Sequence, residues 1–273
     1  MNPDSVLLFR YAFGILLLGL IMVGRGLRTH DLTTVFRVSR HTLPQLVILG
    51  ILMALSSLTL FVSYNYMPVG IASTLLFTYP ILVAVIMTLV YHEPMSWLVV
   101  VCLLLATSGV GMLCTTPDAI VPISSDAIVS PFMIGVLMVL LSSLSYAIYL
   151  VGLNKTRVRT IASMPVTFYV LCFGFLLFVW RLCFGGSFTL PQHGLMWLNL
   201  IALGLLPTVV SLLFTAWAIQ RIGSTSTALF GALEPVTAVT LGIIFLGESI
   251  NLREFMGMIL IFVSVTLVVR RRR

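Results

Sequence analysis

Charge is what this 273-residue chain has least of. Asp, Glu, Lys and Arg make up 8% of it, where a soluble domain carries about 25%. That scarcity excludes an ordinary water-coated globule. Cysteine is scarce too, and Cys102, Cys114, Cys172 and Cys183 are scattered through apolar runs with no CxxC spacing, which excludes a cysteine metal or redox centre. His30, His41, His92 and His193 are isolated and form no HExxH pair, so no ligand set for a metal is in view. A GxxxxGK[ST] phosphate loop is also missing, which excludes a pump carrying its own ATP motor. No acid, base and metal residues converge at an interface as a membrane enzyme would need. The expectation is a non-enzyme without a cofactor.

What is present is hydrocarbon. The chain is 60% hydrophobic, with a mean hydropathy of +1.15. A helix needs roughly 20 apolar residues to cross a hydrocarbon core about 30 Å thick. Nine such runs lie at about 5–24, 45–66, 69–91, 97–114, 131–152, 163–184, 195–219, 224–246 and 252–270. They are apolar all round, unlike the striped helices of a soluble bundle. The fold class expected is therefore an all-α multi-pass membrane protein with nine transmembrane helices.

The few charges orient it. Of 15 Lys and Arg residues, 12 occupy alternate loops: Arg25, Arg28, Arg37, Arg40, Lys155, Arg157, Arg159, Arg221 and Arg270 to Arg273. Basic loops stay in the cytoplasm, which puts the C-terminus there. The stretch from Thr115 to Pro131 has no basic residue and carries Asp118 and Asp126, so that side faces out. The net charge of +7 reads as a topology signal; a nucleic-acid partner would need the basic residues on one face. The basic tail also suits anionic lipid. Nine spans place the N-terminus outside. Met1 to Val23 lacks a basic start and a small-residue cleavage site, so it reads as a retained span.

A repeat organises the runs. Ala72 to Trp97 and Thr227 to Leu252 follow one template, 155 residues apart. Each places a proline inside an apolar run, a Glu 13 residues later where the run ends, and then a further apolar run; the pairs are Pro80 with Glu93 and Pro235 with Glu248. So many coincident features point to duplication.

The segment LNLIALGLLPTVVSLLFTAWAIQRIGSTSTALFGALEPVTAVTLGIIFLGE, with the apolar run after it, resembles the C-terminal half of the EamA branch of the drug/metabolite transporter superfamily. PDSVLLFRYAFGILLLGL, with its arginine, is similar to that family's second helix, and YNYMPVGIASTLLFTYP continues the likeness. The resemblance implies two inverted helical repeats, 1–116 with four helices and 131–273 with five. The family has ten helices, and the one lacking here is its first; either the chain works with nine or a helix precedes Met1. Five spans per repeat is an odd number, so the second copy enters from the opposite side, in agreement with the charges. Inverted repeats build a solute site near the midplane and alternate access to it by rocking one half on the other.

Glu234 leads the candidate residues. It lies about ten residues into its run, near mid-bilayer at 1.5 Å per residue, where a charge costs on the order of 2.5 kcal/mol or more. It either exchanges a proton or engages a solute amine, or it bonds a neighbouring helix and holds the fold. Tyr79 occupies the equivalent place in the first copy. Pro80 and Pro235 each free a backbone carbonyl inside the membrane, giving hinges or static bends. Arg10 lies several residues into the first run and either pairs with Glu234 or snorkels outward. Ser57, Tyr64, Asn65, Ser211, Thr215 and Trp217 are candidates for lining the path, as are Thr208 and Gln220, against the alternatives of bonding to their own helix or sitting in an interfacial belt. Arg181 and Arg253, at run ends, are expected at lipid headgroups. Glu93 and Glu248 are expected to cap or pair at the boundary.

The function implied is a secondary transporter of small organic solutes, an exporter of amino acids or related metabolites in the plasma or bacterial inner membrane. The alternative is a truncated or partnered membrane protein without transport of its own. The partners expected are a small-molecule substrate, the lipid bilayer and protons as coupling ion, with a homodimer as the candidate assembly and no nucleic acid.

Overall fold

The computed structural model describes residues 2–28, 35–94, 96–114, 131–186, 188–241, 244 and 251–271. The acidic loop with Asp118 and Asp126, Glu248, and Arg272 and Arg273 lie outside these. Among the described residues the chain is helical, without strands. Five helices are continuous, long and apolar enough to cross a membrane: α1 (Pro3–Arg28), α2 (Leu43–Ser63), α6 (Pro131–Lys155), α7 (Ser163–Cys183) and α8 (Gly194–Ile222). Trp97–Cys114 forms α5 and Leu252–Arg271 forms α11.

The runs holding the repeated prolines are not continuous helices. The first divides into α3 (Val69–Leu76) and α4 (Tyr79–Leu89), the second into α9 (Ser224–Gly231) and α10 (Leu233–Leu241). Sequence predicts a kink at each proline, and the helix is interrupted just before it, with Pro80 and Pro235 in the first turn of the following helix. There the missing N–H takes no bond from the helix that the proline begins, and only the carbonyl of the preceding helix is left to be satisfied.

The helices gather into two compact units, one of 1–58 with 149–223 and one of 59–148 with 224–273. Each draws on both halves of the sequence. In the first, α1 packs on α7 and α8. Tyr11 is fully buried, 3.2 Å from the Ser57 hydroxyl and edge-on to Phe178 at 4.9 Å between centroids. Asp4 and Arg181 form an ion pair at 2.7 Å. Arg181 thus lies at its helix end as its position in sequence predicts, but a carboxylate from α1 takes its guanidinium.

In the second unit α5 packs along α11. A Cβ on Gly109 would stand 2.7 Å from the Gly257 carbonyl oxygen, so the two backbones meet where only glycine fits. Such contacts between small residues hold helices together in lipid, where hydrophobic collapse offers no help. Ser264 adds a buried hydrogen bond to the Cys102 carbonyl at 2.7 Å. Ala84, Cys102, Leu103 and Leu229 form a core joining α4, α5 and α9.

The polarity runs opposite to that of a water-soluble protein. Leu16, Leu20, Leu137, Leu176, Phe262 and Val263 are exposed, while Ser56, Ser142, Ser143, Ser145 and Thr208 are buried. Apolar side chains facing outward and small hydroxyls facing inward suit a hydrocarbon solvent.

Candidate functional site

A proline removes the backbone bond to the carbonyl four residues earlier, and a carbonyl freed inside a membrane must find another donor. At the first break Pro80 frees the Leu76 carbonyl. Ser143 of α6 donates to it at 3.1 Å, and Thr78 donates to the adjacent Leu75 carbonyl at 2.8 Å. The Thr78 and Ser143 hydroxyls are 2.8 Å apart. Side-chain hydroxyls therefore replace the lost backbone ladder and allow the break to persist.

The second break is closed differently. The Ala232 N–H bonds back to Leu229 at 3.2 Å, a three-residue step, in place of the four-residue step to Ala228. The Ala228 carbonyl instead accepts from the Tyr79 hydroxyl at 3.4 Å. That phenol fills the space beside Gly231, where an added Cβ would overlap the hydroxyl oxygen. Tyr79 is the first residue of α4 and also packs edge-on against Tyr146 at 4.9 Å.

Glu234 follows in the first turn of α10. The N-terminal end of a helix carries partial positive charge and unbonded N–H groups, which favour a carboxylate. Its neighbours Ala232, Pro235 and Val236 are buried, whereas Glu234 itself is exposed. Its carboxylate lies within electrostatic reach of both Tyr79 and Tyr146. Glu234, Tyr79, Pro80 and Pro235, all picked out from sequence, thus share one region with Tyr146 and Ser143, which sequence reasoning passed over. The signal available was the run Ser142, Ser143, Ser145, Tyr146 in an otherwise apolar helix.

Arg10 belongs to the other unit. Its Nε donates to the Thr208 hydroxyl at 2.6 Å, and its Nη2 lies 3.5 Å from the Pro207 carbonyl. Residues Leu205–Val210 of α8 wind as a π-helix around Pro207. Such wide turns cluster at functional positions in helices.

A sequence profile of the EamA-like transporter family matches residues 1–115 and 133–270. The chain belongs to that family. It is a multi-pass membrane protein. Uncharacterized transporter sll1319 of Synechocystis is 28% identical over 225 residues, covering 80% of this chain and 64% of that protein; the aligned part is thus less than two thirds of that relative's length. Uncharacterized transporter YdfC of Bacillus subtilis is 25% identical over 269 residues, covering 94% of this chain and 78% of that protein. A solved crystal structure superposes with a TM-score of 0.77 at 17% identity, covering 99% of this chain and 90% of that one; this likeness concerns fold alone.

The remaining candidate residues are spread out. Ser57 is buried against Tyr11. Tyr64 is half-buried beside Phe61, and Asn65 is exposed in the turn after α2. Ser211 is exposed and Thr215 half-buried on α8. The Arg221 guanidinium lies over the Trp217 ring, 5.1 Å from its centroid, a cation–π pair at the end of α8. Gln220 donates to the Ile161 carbonyl at 2.7 Å and accepts from Ser163 at 3.1 Å, so it fastens the start of α7. Glu93 is exposed beyond α4.

Proposed function

We propose that this transporter moves amino acids or related metabolites out of the cell by alternating access, with Glu234 exchanging a proton or engaging the solute amine. The observation that carries this reading is the placement of Glu234 in the first turn of a half-helix, an exposed residue beside the buried Ala232, Pro235 and Val236 in an apolar span. A charge turned toward lipid there would be costly; a water-filled path removes that cost. Broken helices that aim their ends at a ligand are the usual means of building such paths.

The equivalent breaks before Pro80 and Pro235 support two repeats, 1–116 and 131–273, inserted with opposite orientation. The arginine-rich tail favours a cytoplasmic C-terminus. The setting is the plasma or bacterial inner membrane, the coupling ion is the proton, and the assembly is a homodimer.

The test is radiolabelled amino-acid and metabolite flux in proteoliposomes under an imposed proton gradient. Saturable flux that Glu234→Gln abolishes supports the reading. Undiminished flux in Glu234→Gln, or no saturable flux across a broad panel, overturns it.

A further inference from the structure

Tyr79 and the backbone N–H of Ala232 lie on either side of one acceptor. In an unbroken helix the Ala232 N–H would bond to the Ala228 carbonyl, four residues back. Here it bonds to Leu229 at 3.2 Å, and the Ala228 carbonyl takes the Tyr79 hydroxyl at 3.4 Å. The phenol reaches that carbonyl only because residue 231 is glycine. Tyr79 itself begins the half-helix that follows the first break. The break in one copy thus supplies the donor that stabilises the break in the other.

We propose that Tyr79 is a positioning residue for Glu234, a latch whose phenol, seated against Gly231 and donating to the Ala228 carbonyl, holds the tight step between α9 and α10. Withdrawal of the phenol leaves that carbonyl without a donor in an apolar interior. The nearest replacement is the Ala232 N–H, and taking it rewinds the tight step at Ala232 and turns Leu233 and Glu234 about the helix axis. In the rewound arrangement the Ala232 N–H keeps a bond and the phenol gives one up, so the two arrangements differ by about one hydrogen bond, a gap that movement of α4 can bridge. Movement of α4 in one copy is in this way transmitted to the orientation of the carboxylate in the other. The inference rests on Glu234 being the transporter's working carboxylate, but its test reads the carboxylate directly.

The purified full chain in proteoliposomes is treated with dicyclohexylcarbodiimide, and the modification rate of Glu234 is followed by mass spectrometry of its peptide, with Glu234→Gln as the blank. Tyr79→Phe keeps the ring contacts with Phe77 and Tyr146 and removes the hydroxyl. It is expected to change the Glu234 rate about three- to tenfold, the equilibrium shift that one hydrogen bond supports, and to alter the pH profile of labelling. Gly231→Ala leaves the hydroxyl in the chain but denies it its place, and is expected to shift the rate in the same direction. Rates within about twofold of the parent in both variants, each monodisperse and helical, overturn the latch. Abolished flux in Glu234→Gln alongside unchanged labelling in Tyr79→Phe sinks the latch alone. Full flux in Glu234→Gln with altered labelling in both variants sinks the transport role of Glu234 and leaves the latch standing.

Discussion

The Thr208 hydroxyl donates to the Leu203 carbonyl at 2.8 Å, the carbonyl that Pro207, four residues further on, cannot bond. Arg10 then donates to the same hydroxyl oxygen at 2.6 Å. Ser143 does for the Leu76 carbonyl before Pro80 what Thr208 does for Leu203. In both places a hydroxyl one helical turn or one helix away repairs what a proline removes.

Thr208→Val keeps the shape of the side chain and removes both bonds. It leaves the Leu203 carbonyl and the Arg10 Nε in need of partners within a buried turn. The expected loss is about 1–3 kcal/mol of stability, read as a lower melting temperature of the detergent-purified protein. An unchanged melting temperature would mean that the π turn is held by packing alone.

Gly109→Ala is expected to destabilise by about 1–3 kcal/mol, because its methyl would press on the Gly257 backbone and a backbone cannot rotate away. Gly111→Ala, two residues along the same helix with nothing within 4 Å of the added carbon, is the control and should stay within about 0.5 kcal/mol. Thermal melts of the two variants side by side check the contrast. Equal effects would refute the close approach of α5 and α11.

Asp4→Asn breaks the ion pair with Arg181, whose side chain is 41% exposed. Water and salt screen such a pair, so the expected cost is only about 0.2–1 kcal/mol. The difference between parent and variant should shrink in high salt, measured as melting temperature against ionic strength. A loss that salt leaves untouched would point to packing of the Asp4 side chain.

Pro235→Ala restores an N–H whose helical acceptor would be the Gly231 carbonyl, and so favours a continuous helix through the break. Because Pro235 sits in a first turn, stability is expected to change by less than about 1 kcal/mol, while flux in proteoliposomes falls. Unaltered flux would assign the proline to static shape. A large stability loss would mean that the break itself carries the fold.

Much of the site was legible in the chain because duplication marks it twice. Pro80 and Pro235 occupy matched places, and Glu234 is conspicuous as a carboxylate deep in an apolar run. Tyr79 was visible as the residue matching Glu234. Tyr146 and Ser143 were not, since a Tyr or Ser in an apolar helix faces a site, a neighbour or lipid with equal ease, and only packing decides which. Trp217 and Gln220 show the converse: polar residues in a span that the structure ties to Arg221 and to the start of α7.

The sequence by itself determined that this is a helical membrane protein, because the length of an apolar run and the scarcity of charge depend on composition along the chain and on nothing distant. Membership of the EamA-like transporters was readable for the same reason, as a linear pattern of residues. Only the tertiary structure decided that the proline runs are interrupted just before each proline, that Ser143 and Tyr79 bond to carbonyls there, and that Arg10 bonds to Thr208. The bonds among these join residues 67 to 198 positions apart. The donor that a freed carbonyl finds depends on which helix lies beside it, and no local pattern encodes that neighbour.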